Sequence, residues 1–247
     1  MALDDPKLAD AARAIFAELD RTWARAPAGY WEGELPDATV RRQNPHMHLF
    51  EAALAIARTP WRTAADLARA DRVAQWFADH FFDRERGALP EVFDADWTPQ
   101  RVDGAYLVEP GHHFEWAWLL GELAALGGRD HTTLATQLSR FARQHGVDTT
   151  RNVAIDAIGS DGGVRSAQAR LWPQTERIKA ALTCADAREA VAAYDGLRPF
   201  LATPAAGACF DRMRPDSGFI AEPSRATSLY HIVCAYAELA RAAAAAG

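Results

Sequence analysis

Apolar residues fall at helical spacing along most of the chain. In the first segment Leu8, Ala11, Ala12, Ile15, Phe16 and Leu19 recur every three or four positions, which lines one face of an α-helix. The same periodicity predicts helices over Pro45–Arg58, Ala64–Phe81, Phe114–Leu126, Thr132–His145, Pro173–Leu182, Ala187–Leu201 and Ser228–Ala245, about eight in all. The fold class is therefore all-α.

Between the helices lie short segments of similar composition: Gly29–Glu32, Gly87–Asp94, Val153–Asp156 and Gly207–Asp211. Gly29 to Gly87 is 58 residues and Gly87 to Gly207 is 120, close to two such periods. Helix starts keep a similar beat, with Glu51 to Glu115 at 64 residues and Glu115 to Glu176 at 61. A repeat of this length, a helix pair plus a short extended loop, is the signature of stacked helical hairpins. An open solenoid and a closed α/α toroid both bury the apolar faces. Polar motifs at the same end of one helix in each pair favour the toroid, where they would line one funnel.

Composition narrows the partners. The chain has 247 residues, 49% of them apolar, enough for one large domain spanning residues 1–247. A net charge of -6 gives no electrostatic reason to expect nucleic acid. The stretch Met1–Pro6 is acidic and does not read as a signal peptide, and no run of about 18 apolar residues indicates a membrane span. Cys184, Cys209 and Cys234 are odd in number and widely spaced, and read as reduced core thiols in a cytoplasmic protein.

The candidate chemistry sits at helix starts. Gln43-Asn44-Pro45-His46-Met47-His48, Glu109-Pro110-Gly111-His112-His113-Phe114-Glu115 and Tyr230-His231 hold five of the eight histidines. Imidazole takes up and returns a proton near neutral pH. His48 and Glu51, like His112 and Glu115, are three residues apart, so each pair shares a helix face. A carboxylate there fixes the tautomer of its imidazole and raises its basicity. A surface contact or a cap is the alternative for each pair, and His46, His48, His112 and His113 are also metal-ligand types. Asn44, before Pro45, reads as an N-cap or as a hydroxyl-binding amide. Arg170-Leu171-Trp172-Pro173-Gln174-Thr175-Glu176 repeats the design of a polar group and an aromatic flanking a proline. Trp116 and Trp172 read as core packing or as faces on which a sugar stacks. Neither a nucleotide-binding glycine loop nor a G-x-S-x-G serine elbow is present.

At these residues the chain resembles the N-acylglucosamine 2-epimerase family, which includes mannose isomerase, sulfoquinovose isomerase and cellobiose 2-epimerase. The resemblance rests on Arg42–His48, Glu109–Trp116 and Arg170–Glu176, and more loosely on Tyr230-His231. It implies an (α/α)6 barrel, N-terminally truncated so that about eight of twelve helices are expected here. It also implies a reaction on a reducing sugar that needs neither metal nor other cofactor. By this resemblance His112, supported by Glu115, removes the proton next to the open-chain carbonyl, and His231 supplies the second imidazole. Asn44 and His48 hold hydroxyls or the carbonyl oxygen, with Trp116, Trp172 and Gln174 as further substrate-binding positions.

The function expected is aldose-ketose isomerisation or 2-epimerisation of a mannose-type hexose. The alternative from another class is a truncated barrel that binds sugar or a partner without turnover, its open side covered by a second copy. A glycoside hydrolase using carboxylate pairs ranks last, because the conspicuous groups are His-centred.

Overall fold

The computed structural model describes residues 5–25, 29–32 and 39–246. Most of the acidic N-terminal stretch, Met1–Asp4, lies outside the described residues. The chain divides into two compact units. The first runs to Phe82 and also includes Pro90–Gln100 and Leu119–His131; the second comprises Asp83–Leu89, Arg101–Trp118 and Thr132 to the C-terminus.

Eight α-helices occur among the described residues: α1 (Pro6–Thr22), α2 (Asn44–Ala57), α3 (Ala64–Trp76), α4 (Pro110–Ala125), α5 (Thr132–Gly146), α6 (Leu171–Thr183), α7 (Ala187–Leu201) and α8 (Ala226–Ala246). They follow the predicted spans closely. The main difference is α4, which starts four residues before Phe114. Pro110 has the φ of a first helical residue and no N–H to leave unpaired, so the Gly111-His112-His113 run becomes the first turn rather than the loop before it. The predicted helix to Phe81 is α3 plus a π-helical turn over Phe77–Phe81.

Local chemistry sets the other starts. Asp5 caps α1 by accepting from the Lys7 N–H at 2.9 Å, and Asp186 caps α7 by accepting from the Glu189 N–H at 3.0 Å. At α3, Asp66 accepts from both the N–H and the hydroxyl of Thr63 and also holds Arg13, which pulls its carboxyl down to about 2.

In the first unit α2 packs on α3, and β1 (Val40–Arg42) pairs antiparallel with β2 (Val92–Asp94). An aromatic cluster of Phe81, Phe93 and Trp97 packs around His46, with the Arg41 guanidinium over the Trp97 ring. In the second unit α6 packs on α7 and α8. The extended loops form short antiparallel ladders. β3 (Leu107–Val108) pairs with β6 (Ala157–Gly159) and that with β7 (Val164–Ser166). β4 (Val147–Asp148) pairs with β5 (Val153–Ala154), and β8 (Ala169–Arg170) with β9 (Arg212–Met213). One core cluster includes Val153, Leu171, Ile178, Leu197, Phe200 and Met213; another includes Tyr106, Val108, Phe141, Ile155 and Ile158. No disulfide joins the three cysteines; Cys209 is buried, whereas Cys184 and Cys234 are half-buried.

Candidate functional site

Helix starts in both units use one device to fix the loop that precedes them. In the first unit Nε2 of His46 accepts from the Tyr30 N–H at 3.0 Å, and Nδ1 lies 2.9 Å from the Arg42 carbonyl. In the second unit His113 repeats both contacts, with the Leu89 N–H at 3.0 Å and the Glu109 carbonyl at 3.3 Å. Gln174 does the same with an amide: Oε1 accepts from the Ala154 N–H at 2.7 Å, and Nε2 donates to the Ala154 and Arg170 carbonyls at 2.8 Å. Before α8 the Ser224 hydroxyl accepts from the Cys209 N–H at 3.0 Å and donates to its carbonyl at 2.7 Å. The residue ahead of each tethered segment has positive φ: Gly29, Gly87, Asn152 and Gly207. Contacts of this kind hold both imidazoles neutral with the proton on Nδ1. Burial is the main cause that pushes His46 down to about 4 and His113 to about 3.

These braces correct the repeat register read from spacing, which equates Glu51, Glu115 and Glu176. With His46, His113 and Gln174 equivalent, the residues two further on are His48, Glu115 and Glu176, and three beyond those stand Glu51, Trp118 and Lys179. The two His-x-x-Glu strings are therefore not one motif repeated. His113 and Gln174 share a role because each bonds one extended backbone segment, and that contact recurs at His46 as well, where His48 replaces the carboxylate.

Two carboxylates and an imidazole converge in the second unit. Nδ1 of His231, half-buried on α8, lies 2.8 Å from Oε1 of Glu176, whose Oε2 is 2.7 Å from the Lys179 ammonium. That ammonium sits over the Trp118 ring, 3.5 Å from its centroid. Glu115 is 1% exposed, and its Oε1 has no hydrogen-bond partner among the described residues. Burial first, and the charge of Glu176 second, push Glu115 up to about 7 against the pull of Lys179, His112 and His231. Burial acts on Glu176 in the same sense, but Lys179 and His231 outweigh it and hold its carboxyl below the usual range. Glu115, Glu176 and His231 each offer a ligand-type atom within 4.8 Å of the others, a set that could hold a divalent cation. Lys179 already meets part of that negative charge.

Trp172 lies between two imidazoles. Its ring centroid is 5.1 Å from that of His112 and 5.5 Å from that of His231, at interplanar angles of 34° and 33°. Gly111 makes the approach to α4 possible, since a Cβ there would stand 2.5 Å from the Trp172 ring. Arg170 bridges Glu109 at 2.7 Å and Asp156 at 2.9 Å, and Nδ1 of His112 is 3.9 Å from the same Glu109 oxygen. Two imidazoles, an acid that titrates near neutrality and a fixed carboxylate are the parts needed to remove and return a carbon-bound proton.

In the first unit Asn44 is the first residue of α2, half-buried, and the cap is Gln43, which is buried and donates to Glu91 at 2.8 Å. His48, four residues on and so on the same face, is exposed with Nδ1 3.3 Å from Glu51. Two sequence-read positions do not offer themselves to a sugar. Gln174 is fully buried with its amide taken by backbone, and Trp116 is fully buried with no face left for stacking.

The family model described as N-acylglucosamine 2-epimerase (GlcNAc 2-epimerase) matches residues 1–235. The chain belongs to the N-acylglucosamine 2-epimerase family. It is 39% identical over 229 residues to a Rhizobium meliloti (strain 1021) protein named mannose-6-phosphate isomerase, covering 86% of this chain and 58% of that one. A crystal structure of D-mannose isomerase superposes with a TM-score of 0.76 at 18% identity, over 93% of this chain and 65% of that one. Cellobiose 2-epimerase from Bacillus thermoamylovorans B4167 also gives 0.76, at 16% identity, over 95% and 66%. This member of the family thus spans 58% of that relative's length, and its fold matches about two-thirds of the (α/α)6-barrel enzymes, as the motifs imply. Among the described residues no helix is long and apolar enough to cross a membrane.

Glu176 and Lys179 are missing from the sequence-read site. The signal was present: an acid and a base three residues apart, and so on one helix face, flanked by Ile178, Ala180 and Ala181.

Proposed function

We propose that this member of the N-acylglucosamine 2-epimerase family transfers a proton next to the carbonyl of an open-chain sugar, as an aldose-ketose isomerase or 2-epimerase of mannose-type hexoses. The observation that carries the reading is the pair of imidazoles flanking Trp172, one of them tied to a buried carboxylate. His112 takes the proton from C2, and the electron pair moves into an enediolate. A proton returned to C1 gives the ketose, and one returned to the opposite face of C2 gives the epimer. Because ionised Glu176 only accepts, Nδ1 of His231 donates to it and Nε2 is left as the working nitrogen. Glu115, protonated over much of the neutral range, is a donor suited to the developing oxyanion.

The test is incubation of the purified chain in deuterated water with mannose, mannose 6-phosphate, glucose, fructose and N-acetylmannosamine, read by NMR. Deuterium at C1 or C2 of at least one sugar is expected, and its absence from all of them sinks the reading. Calorimetric binding of a sugar with no deuterium exchange would instead favour sugar binding without turnover.

A further inference from the structure

Lys179 is a lysine without solvent: its side chain and that of Glu176 are both 0% exposed. Taking two charges out of water costs more than a single close contact returns, and apolar residues of similar volume usually serve stability as well or better. Here the ammonium meets one carboxylate oxygen at 2.7 Å and one indole face at 3.5 Å. The other charged or titratable groups of the cluster are Glu115 and His112 from α4 and His231 from α8. From α7, Glu189 is occupied by Arg177 at 2.7 Å.

We propose that Lys179 is a positioning residue that sets the tautomer of His231 through Glu176. The inference rests on the reading of His231 as a proton carrier. Burial opposes a charge on Glu176, and the ammonium of Lys179, 2.7 Å from Oε2, is the largest influence that restores it, ahead of His231. A carboxylate has no proton to give, so Nδ1 of His231 must carry the hydrogen at 2.8 Å and Nε2 must be bare. Without the ammonium, Glu176 takes a proton from solvent, and its O–H donates to Nδ1. The ring proton then belongs on Nε2, and the imidazole can no longer accept a proton there. Lys179 touches no substrate; it acts one residue removed.

The full chain labelled with 15N-histidine reports this directly, because protonated and bare ring nitrogens are separated by chemical shift. His231→Gln identifies the His231 signals. At pH 7.5 the parent chain is expected to show His231 with hydrogen on Nδ1. In Lys179→Met the ratio of the two tautomers is expected to move toward Nε2–H by about tenfold or more. Lys179→Gln keeps reach to Glu176 without charge and is expected to do the same, which guards against a Met variant that fails to fold. Glu176→Gln should abolish the response to a second substitution at Lys179, as the effect runs through the carboxylate. An unchanged His231 tautomer in folded Lys179→Met or Lys179→Gln overturns the proposal. The readout needs no turnover: a tautomer switch in the variants with no deuterium exchange by the parent chain sinks the isomerase reading alone, whereas exchange by the parent with no switch in the variants sinks only the role of Lys179.

Discussion

Glu115 and Glu176 occupy the same step of two successive repeats, two residues beyond a buried brace, yet the protein treats them oppositely. Both are cut off from water. Glu176 has Lys179 one turn further along its helix and the His231 ring at hydrogen-bond distance, and is held as an anion. At the position of Lys179 the other helix carries Trp118, and Glu115 is pushed up to about 7. The brace decides where a carboxylate stands; the residue one turn on decides its charge. A pair of acids separated in this way can divide the work, one orienting an imidazole and the other giving and taking a proton.

Four measurements sharpen or break that contrast. The largest expected effect is His112→Asn, which should lower solvent-deuterium exchange into sugar by about 10²–10⁴-fold, the range for loss of a general base. If exchange is undiminished, the imidazoles around Trp172 are not the reacting groups. Glu115→Gln comes next. Above about pH 7 the parent must bury a charged Glu115 in the folded state, so its stability falls as pH rises from about 4.5 to 7, by a few kcal/mol in order of magnitude. The Gln variant should match the parent at pH 5 in urea unfolding and exceed it at pH 8; equal stability at both pH values would contradict the assignment.

The braces give smaller effects. His113→Ala leaves the Leu89 N–H and the Glu109 carbonyl without their partner and should cost about 2–3 kcal/mol, while His113→Gln, copying Gln174, should cost less than about 1 kcal/mol. Equal losses would show that His113 matters for volume rather than for its two hydrogen bonds. The same braces set the response to acid. His46 and His113 fold with pKa values below the ordinary 6.5, so the stability they provide is present above pH 6.5 and is lost as pH falls toward about 4. His113→Gln should remove its part of that slope and Gln174→His should add one, as read from unfolding midpoints at pH 7 and pH 4.5.

Much of the fold was legible in the sequence because each helix buries one face, and that need imprints a spacing of three to four on Leu, Ala and Phe. The helix-start motifs were legible for a related reason: proline and glycine mark where the first turn begins. The division of labour within the motifs was not. His112 and His113 are adjacent and chemically identical, yet one flanks Trp172 and the other is sealed against Leu89. Only the path of the loop that passes over α4 separates them, and no local pattern encodes that path. Gln174 shows how the distinction was within reach. An amide in a place where a neighbouring repeat has an imidazole points to hydrogen bonding rather than to acid-base work, since an amide does not titrate. The role of Glu176 escaped notice because the imidazole it holds, His231, lies 55 residues further along the chain.

The tethered loop amides have a use beyond architecture. Tyr30, Leu89, Ala154 and Cys209 each give their N–H to a side chain rather than to a helix or ladder, one in each successive hairpin. Such a hydrogen is released to solvent when its own hairpin parts from the loop before it, whatever the others do. In an isotope-exchange experiment these four amides would behave as independent clocks spaced along the chain, reporting the order in which the hairpins come undone.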